Sequence, residues 1–362
     1  MANRFQNRRS KKYIHLFEFD QDEKFSIPLY HFLKDDFAID EHYFYIPQHN
    51  NMKLKLCEDN VEYFNYDLAW AIRFFVQSFF CQKIIIHKIP HNTYFFVLFL
   101  MFPFLARKSA WIIWGGDLYY HELRAKGFKS NLVELFRRII IRKLKFLITP
   151  LDGDFELARK WYNAKGKHIS SFVYPSNLFK SLDLNHSRKD NRVIIQIGNS
   201  ACRTNKHLEL LEDLKFLRDE NILLYCPLSY SGRDDYINEV IEKGYEVFGR
   251  EKFIPLLEFL PHQEYLDFLS NIDVTIFNHD RQRGLGNITS LLSLGKKVYM
   301  RESITTWEFC VQRDLRVFSI DKDLHNVLHP MPEFIKKHNI GLVKSMFSLN
   351  QLISQWSEVL ES

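Results

Sequence analysis

Cysteine is scarce in this sequence, and no two cysteines lie close together. The five residues, Cys57, Cys81, Cys202, Cys226 and Cys310, are spread over 362 positions and form no CxxC pattern. Small secreted domains depend on dense disulfides, and structural zinc sites commonly use paired cysteines. The sequence argues against both, and we expect reduced thiols in a cytoplasmic protein.

Long apolar segments are also missing. A helix that spans a bilayer takes about 20 apolar residues, whereas the most apolar run, residues 94–105, has twelve and contains Pro103. That run predicts a buried helix or, alternatively, a segment lying in a membrane interface. The first residues, MANRFQNRRSKK, lack the apolar core of a signal peptide. No zinc-finger, helix-turn-helix or RNA-recognition pattern occurs, so nucleic acid is not an expected partner.

Positive charge is concentrated in the first part of the chain. Residues 1–150 carry 22 Lys and Arg against 15 Asp and Glu, and the remainder carries 27 against 29. Within residues 134–146, apolar residues alternate with cations that include Arg137, Arg138, Arg142 and Lys143. A basic amphipathic helix of this kind fits docking on an anionic membrane. The alternative is an ordinary surface helix whose cations extend past apolar neighbours into water.

Short β-branched and aromatic runs alternate with segments of helical spacing along the whole chain. In the first half, residues 61–80 have helical spacing, and strands are predicted at 13–19, 43–46, 83–86 and 111–114. In the second half, strands are predicted at 193–195, 222–226, 245–247, 274–277 and 298–300. This alternation predicts βα units and parallel sheets.

The chain is long enough for two such domains, each with its own core. We expect a first domain over residues 1–175 and a second over 192–345, joined by a polar linker at 176–191. A final helix, within 346–362, can pack back on the first domain.

The most informative stretch, VIIQIGNSACRTNKH at 193–207, predicts a strand, a tight loop and a helix. The loop carries Gly198, Asn199 and Ser200, followed by Arg203 and Asn205. Backbone N–H groups at a helix N-terminus attract phosphate, and cations strengthen that attraction. The stretch therefore indicates phosphate binding, or else an ordinary strand-to-helix turn with solvated charges.

A second loop of the same kind follows the strand at 274–277. It contains two arginines, two glycines and an asparagine, namely Arg281, Arg283, Gly284, Gly286 and Asn287. Glycine permits close approach of a diphosphate, and the arginines would offset its charge. Two such loops in one α/β domain favour a nucleotide or a nucleotide-sugar ligand. Tyr230, after the strand at 222–226, and Glu302, which could accept hydrogen bonds from ribose hydroxyls, complete the predicted donor site.

Candidate groups for acid–base chemistry come from the first half. Asp117 follows the strand at 111–114 and two glycines, so it is either a general base or hydroxyl ligand, or the cap of the next helix. His87 lies at the end of another strand, where ligands bind in open α/β sheets, or is a satisfied loop histidine. Asp152 and Asp154 form a DxD before a helical pattern, and helix capping explains it better than metal binding.

Three segments together resemble a known family. They are WIIWGGDLY at 111–119, IGNSxxRxNxH at 197–207 and RQRGLG at 281–286. They are similar to segments of the TDP-N-acetylfucosamine:lipid II N-acetylfucosaminyltransferases, the 4-acetamidofucosyl transferases of enterobacterial common antigen synthesis. The resemblance covers most of the chain from about residue 87. It implies a GT-B glycosyltransferase, in which two Rossmann-like α/β domains face each other across a cleft.

The resemblance also implies a reaction and a location. A sugar would pass from TDP-4-acetamido-4,6-dideoxygalactose to a polyprenyl-diphosphate-linked glycan, catalysed by a peripheral enzyme on the cytoplasmic face of the inner membrane. Asp117 and then His87 would be the candidate bases on the acceptor side. The two glycine loops would hold the donor diphosphate. Because arginines and helix N-termini would stabilise the leaving group, we expect neither a metal nor a cofactor.

Two alternatives remain open from the sequence. The acceptor could be a protein or a soluble glycan rather than a lipid-linked one, or the chain could bind a nucleotide sugar without catalysing transfer. The pair of glutamates, seven residues apart, that many retaining GT-B enzymes share is absent here. The sequence therefore leaves both inversion and retention of configuration open and leans toward inversion.

Overall fold

The computed structural model describes residues 11–18, 25–49, 54–179 and 191–362. The chain divides into two units, the first formed by Met1–Leu178 with Leu349–Ser362 and the second by Phe179–Ser348. Each unit contains one parallel sheet with helices, which confirms the predicted α/β class. Most of the predicted linker, residues 180–190, lies outside the described residues.

The first unit is built on a seven-stranded sheet. Its strands are β1 Tyr13–Phe17, β2 His42–Pro47, β3 Val61–Phe64, β4 Lys83–His87, β5 Ser109–Ile112, β6 Phe146–Ile148 and β7 Lys167–Ile169. They lie in the order β3-β2-β1-β4-β5-β6-β7, and every described pair is parallel. Strands covered on both faces are rich in apolar residues; all five residues of β4 are buried, and its three central residues are isoleucines.

In the described part of the first unit, seven α-helices accompany this sheet before the final helix of the chain. They are α1 Ser26–Asp36, α2 Leu68–Phe80, α3 Thr93–Met101, α4 Pro103–Arg107, α5 Tyr120–Leu123, α6 Phe128–Ile141 and α7 Asp152–Tyr162. Side-chain caps start two of them. The Asp67 carboxylate accepts the Trp70 N–H at 2.7 Å at the start of α2, and the Asn92 amide oxygen accepts the Tyr94 N–H at 2.8 Å at the start of α3.

The helical spacing predicted over residues 61–80 is only partly correct. Residues 61–64 form strand β3, and the helix begins at Leu68. Its buried side carries Trp70 and Phe74, whereas the side with Ile72 and Val76 is exposed. Both sides of α2 are apolar, so the residue pattern alone did not distinguish core from surface.

The apolar run at 94–105 forms two helices instead of one. α3 ends at Met101, and Pro103 occupies the first turn of α4, where its missing N–H costs no hydrogen bond. Phe95 and Phe99 point into the core. Within the described ranges, no helix combines the length and the apolarity that crossing a bilayer requires.

The second unit is built on a six-stranded sheet. Its strands are β8 Val193–Ile197, β9 Ile222–Pro227, β10 Phe253–Leu256, β11 Val274–Phe277, β12 Lys297–Met300 and β13 Phe318–Ser319, in the order β10-β9-β8-β11-β12-β13. Its helices are α8 His207–Asp213, α9 Asp234–Phe248, α10 His262–Asn271, α11 Leu285–Ser293, α12 Thr305–Gln312, α13 Ile320–Asp323 and α14 Glu333–Met346. The strand predicted at 245–247 is wrong, because those residues complete α9 and the strand follows as β10.

The two sheets share one strand order. In each sheet, the first strand lies between the second and the fourth. The connection after the first strand therefore leads toward one side edge of the sheet, and the connection after the fourth strand leads toward the other. Open α/β sheets bind ligands at such a switch point, beyond the carboxyl ends of the strands. The loops after β1 and β4 mark this place in the first unit, and the loops after β8 and β11 mark it in the second.

The last helix, α15 Leu349–Glu361, packs on the first unit. Trp356 is fully buried, and its indole N–H donates to the carbonyl oxygen of Val173 at 2.7 Å. The ammonium of buried Lys83 donates to the carbonyl oxygens of Val359 and Leu360, which lie in the last turn of the helix. A cation at a helix C-terminus stabilises the unpaired carbonyls there.

We expect Trp356→Ala to destabilise the protein by about 3–5 kcal/mol, because it removes a buried indole and leaves a cavity. Urea unfolding of the whole chain measures this loss. The matched control is Leu349→Ala on the same helix, whose side chain is exposed and should change stability by less than about 0.5 kcal/mol. Equal effects of the two substitutions would contradict the packing of α15 described above.

Candidate functional site

The two glycine loops of the second unit meet at the switch point of its sheet, and the side-chain amide of Asn205 joins them. Its oxygen accepts the backbone N–H of Asn199 at 3.1 Å and faces His279 Nε2 at 2.9 Å. Its nitrogen donates to Ser200 Oγ and to the Cys202 carbonyl oxygen, both at 3.2 Å. Asn205 is fully buried. It therefore fixes the loop after β8 to the loop after β11 and does not face a ligand, which corrects its predicted role as a diphosphate contact.

Glycine is required on both sides of this junction. Gly198 and Gly284 have φ angles of +67° and +69°, a region that side chains other than glycine rarely adopt. A Cβ at Gly198 would lie 2.5 Å from His207 Nε2, and a Cβ at Gly284 would lie 2.9 Å from Asn199 Nδ2. The two backbones thus approach side chains so closely that no larger residue fits.

The start of α11 presents positive potential at this junction. Gly284 is the residue before the helix, and no side chain caps the first turn. The first N–H groups of a helix have no partner within it and attract anions. Arg281 and Arg283 precede the helix directly, and their charges lower the pKa values of neighbouring groups on both loops.

Two buried histidines next to these arginines are neutral at physiological pH. Burial lowers the pKa of His279 to about 3 and that of His207 to about 4, and the charge of Arg283 acts in the same direction. Their ring atoms His279 Nδ1 and His207 Nε2, and the amide oxygen of Asn199, are buried without a hydrogen-bond partner in the described part of the chain. Unused hydrogen-bonding capacity of this kind calls for a ligand or water.

In the first unit, Asp117 is a saturated structural carboxylate. One oxygen accepts the N–H of Ile89 at 2.9 Å and the indole N–H of Trp111 at 2.6 Å. The other accepts the backbone N–H groups of Trp114 and Leu118, both at 3.0 Å. With four donors and 1% exposure, the carboxylate ties together three segments at the carboxyl edge of the sheet. The predicted role as a general base does not fit this environment, because no lone pair is left for a substrate proton.

His87 is equally enclosed. Its Nδ1 lies 2.7 Å from the Tyr174 hydroxyl and its Nε2 lies 3.1 Å from His15 Nδ1. The ring stacks on Phe17 at a centroid distance of 3.9 Å. Complete burial holds the pKa of His87 well below its usual value. His87 is a satisfied core histidine, as the alternative interpretation held, and the prediction that it is a base is wrong on this geometry.

Comparison with known protein families shows which family this chain belongs to. The sequence model of the family described as 4-alpha-L-fucosyltransferase, glycosyl transferase group 56, matches residues 28–361. The chain belongs to this family. It is therefore a glycosyltransferase, and the resemblance drawn from the three sequence segments is confirmed.

Solved structures agree with the fold of this group 56 transferase. A glycosyltransferase from Rickettsia africae is 14% identical, with a TM-score of 0.69 over 97% of this chain and 98% of that one. HepE of Anabaena, solved in complex with UDP, is 13% identical, with a TM-score of 0.69 over 97% and 99%. Sucrose-phosphate synthase from Thermosynechococcus elongatus is 10% identical, with a TM-score of 0.71 over 97% and 98%. These likenesses confirm the two-domain, Rossmann-like GT-B fold.

Two further residues of the predicted donor site in this transferase already have partners within the protein. Ser200 is fully buried, and its hydroxyl accepts the Asn205 amide. Arg203 extends away over the Tyr236 ring at 4.5 Å and pairs with Asp235 at 3.7 Å. Ser200 is therefore part of the junction itself, whereas the Arg203 guanidinium is held by acidic partners on α9.

The remaining predicted donor residues follow strands β9, β11 and β12 of the same sheet. Tyr230 is exposed and follows β9, and Asn287 lies in the first turn of α11. Gly286 is in the same turn, where its carbonyl oxygen accepts the Ser290 hydroxyl at 2.8 Å. Glu302 follows β12 and pairs with Lys322 at 2.8 Å. It borders a groove of about 440 Å³ together with Ser303, Ile304, Thr305, Trp307, Glu308, Val311 and Gln312.

One of the four predicted membrane-facing cations is buried. Arg137 has no exposed surface; its guanidinium donates to the carbonyl oxygen of Asp117 and lies 3.0 Å from His91 Nε2. The prediction is wrong for Arg137, because this cation supports the loop that contains Asp117. Arg138, Arg142 and Lys143 are exposed.

One acidic residue beside Asp117 was overlooked as a site residue. Glu18 directly follows β1, and among the described residues its carboxylate accepts two donors, the Tyr66 hydroxyl at 2.9 Å and the His91 N–H at 3.2 Å. The signal was present in the sequence, because a carboxylate directly after the first strand of a parallel sheet lies at the ligand-binding edge.

We expect Asp117→Asn to lower the stability of the protein by about 1–3 kcal/mol, because an amide N–H would face donors that now meet a carboxylate oxygen. Thermal or urea unfolding measures this change. Asp36→Asn, at the exposed end of α1, is the control and should stay within about 0.5 kcal/mol. Full stability of Asp117→Asn together with a loss of turnover of 100-fold or more would restore Asp117 as the base.

Proposed function

We propose that this glycosyltransferase moves a deoxyamino sugar, TDP-linked 4-acetamido-4,6-dideoxygalactose, onto a polyprenyl-diphosphate-linked glycan. The proposed nucleotide-sugar donor rests on one observation, the junction of the two glycine loops. There, the uncapped start of α11, two arginines and buried groups with unused hydrogen-bonding capacity come together at the switch point of the second sheet. HepE of Anabaena, which shares the fold, was solved with UDP, and this supports a nucleotide donor.

The chemistry of the junction suits a departing nucleoside diphosphate. Negative charge develops on the diphosphate as the bond to the sugar breaks, and donors fixed in advance stabilise that charge. The N–H groups of α11 and the guanidinium groups of Arg281 and Arg283 would supply these donors. We therefore propose that the transfer requires no metal ion and no cofactor. The neutral rings of His207 and His279 would form hydrogen bonds with uncharged polar groups of the donor.

We expect Arg281→Ala and Arg283→Ala each to weaken binding of thymidine diphosphate by about 10- to 100-fold, since a charge-assisted hydrogen bond contributes about 1.5–3 kcal/mol. Titration calorimetry measures the affinity. The thermal shift gives a second measure, because a ligand at 100 times its Kd stabilises the folded state by about 2.7 kcal/mol.

The matched control for these variants is Arg218→Ala. Arg218 is exposed in the same unit and precedes β9, at the opposite edge of the sheet, so its loss should leave the affinity unchanged. Two results would overturn the donor site: unchanged affinity in both arginine variants, or a wild-type protein whose melting temperature no nucleoside diphosphate raises.

The first unit has an exposed apolar surface that suits a lipid-linked acceptor. α3 packs against both α2 and α6, and all three helices turn large apolar side chains outward. We call this set the outer apolar face: Leu68, Ile72, Val76 and Phe80 on α2, Val97 and Met101 on α3, and Phe128, Leu132 and Leu135 on α6. Exposed apolar patches that extend over several helices mark interaction sites.

Exposed cations lie beside the outer apolar face. Arg138, Arg142 and Lys143 are at the end of α6, and Arg107 ends α4. Apolar side chains bordered by cations fit the headgroup region of an anionic bilayer. This surface supports our proposal that the enzyme is a peripheral protein on the cytoplasmic face of the inner membrane, where its acceptor would be anchored.

We expect simultaneous reversal of Arg138, Arg142 and Lys143 to Glu to lower binding to phosphatidylglycerol vesicles by at least about 100-fold, because each cation contributes about 1 kcal/mol at an anionic surface. Co-sedimentation measures the partition coefficient. The control reverses Lys215, Arg218 and Arg250 of the second unit, which are also exposed, and so changes the net charge equally. Equal binding by the two triple variants, with transfer to a water-soluble acceptor retained, would favour a soluble glycan or protein acceptor.

A further inference from the structure

Glu18 stands at the switch point of the first sheet. It is the residue after β1, and its backbone N–H donates to the carbonyl oxygen of His87, the last residue of β4, at 3.3 Å. β1 and β4 are the neighbouring strands from which the connections diverge. The carboxyl ends of such strands form the crevice in which α/β proteins bind ligands, so the position of Glu18 is that of a ligand-binding group.

The carboxylate of Glu18 is held in place but is not saturated. Oε2 accepts the Tyr66 hydroxyl and Oε1 accepts the His91 N–H. A carboxylate can accept about four hydrogen bonds, so each oxygen keeps one lone pair with respect to the part of the chain that the structure describes. The side chain is partly exposed. Asp117, in the same region, has all four of its acceptor positions occupied and is closed to solvent.

The surroundings of Glu18 favour proton uptake. Burial raises the pKa of this carboxyl above its ordinary value, and the charge of Asp117 acts in the same direction. The Tyr66 hydroxyl, the His91 N–H and the charge of Lys88 oppose the increase without cancelling it. A carboxylate whose pKa moves toward neutrality is a better general base than an unperturbed one.

We propose that Glu18 is the general base that deprotonates the acceptor hydroxyl, an inference that rests on the function proposed above. The hydroxyl oxygen forms a bond to the anomeric carbon of the donor sugar as the bond from that carbon to the diphosphate breaks. The nucleoside diphosphate leaves with the electron pair, and the hydroxyl proton moves to the Glu18 carboxylate and later to water. Direct displacement of this kind inverts the configuration at the anomeric carbon.

Two variants test Glu18. Glu18→Gln should lower kcat by 100- to 10,000-fold, the usual contribution of a general base, and should remove the acid limb of the pH profile of kcat/KM. Affinity for thymidine diphosphate should remain that of the wild type, because the donor site is in the other unit. The matched control is Glu62→Gln. Glu62 also accepts a tyrosine hydroxyl, that of Tyr43 at 3.0 Å, on strand β3 of the same unit, and its loss should leave kcat unchanged.

Tyr66→Phe distinguishes a general base at Glu18 from a residue with a purely structural role, because only a base would make the pH profile depend on the Tyr66 hydroxyl. The Tyr66 hydroxyl stabilises the charged carboxylate, so its removal should raise the pKa of Glu18 further. The base would then form only at higher pH, and the acid limb of kcat/KM should move toward higher pH. A folded Tyr66→Phe enzyme with an unmoved limb would overturn the proposal, as would Glu18→Gln with wild-type turnover or a product of retained configuration.

Failure of this inference is distinguishable from failure of the proposed function. If the wild-type enzyme transfers sugar from the TDP donor and Glu18→Gln transfers it equally well, only the assignment of Glu18 is wrong. If the wild-type enzyme neither binds thymidine diphosphate nor transfers the sugar, the proposed donor and acceptor are wrong, and Glu18 then has no proton to accept.

Discussion

The side-chain amide of Asn205 is the interaction on which the second unit's candidate site depends. One buried group satisfies a backbone N–H, a hydroxyl, a carbonyl and a histidine ring that belong to two different loops. A partly satisfied amide in the same place would cost about 1–3 kcal/mol for each polar group left without a partner. Because all four partners are present, the loops have one arrangement, and the backbone N–H groups and arginines around them are placed before any ligand arrives. Stabilising a developing charge requires such prior placement.

The same principle separates structural from chemical polar groups in both units. Asp117 and Asn205 lie at ligand-binding edges of their sheets, yet every acceptor position they offer is used within the protein. Glu18, His207 and His279 lie beside them with capacity left. A saturated group holds loops in position, whereas an unsaturated one can bind a substrate atom. Each unit therefore pairs one group that fixes the loops with others that remain available for chemistry.

The sequence predicted the strands and the glycine loops because their signals are local. Alternating apolar runs and glycine before a helix depend on neighbours in sequence, and the structure places β4, β8 and β11 where those signals lie. The base could not be identified from local sequence signals. Asp117 and Glu18 both follow strands, and only tertiary contacts from Ile89 and Trp111 show that Asp117 is saturated. Arg137 has the spacing of a surface cation, but the carbonyl of Asp117, distant in sequence, draws it into the core.

The topology of the first unit connects its apolar surface to its candidate base. In a parallel sheet, the helix after each strand begins at the strand's carboxyl end and runs back along the sheet. α2, α3 and α6 follow β3, β4 and β5 in this way, so the outer apolar face begins at the edge where Glu18 lies. An acceptor anchored in a bilayer by its lipid would therefore bring its sugar hydroxyl toward that edge. A soluble acceptor would gain nothing from this placement, and the exposed apolar side chains would then only lower solubility. The edge that both features share is the physical reason for proposing a lipid-linked acceptor.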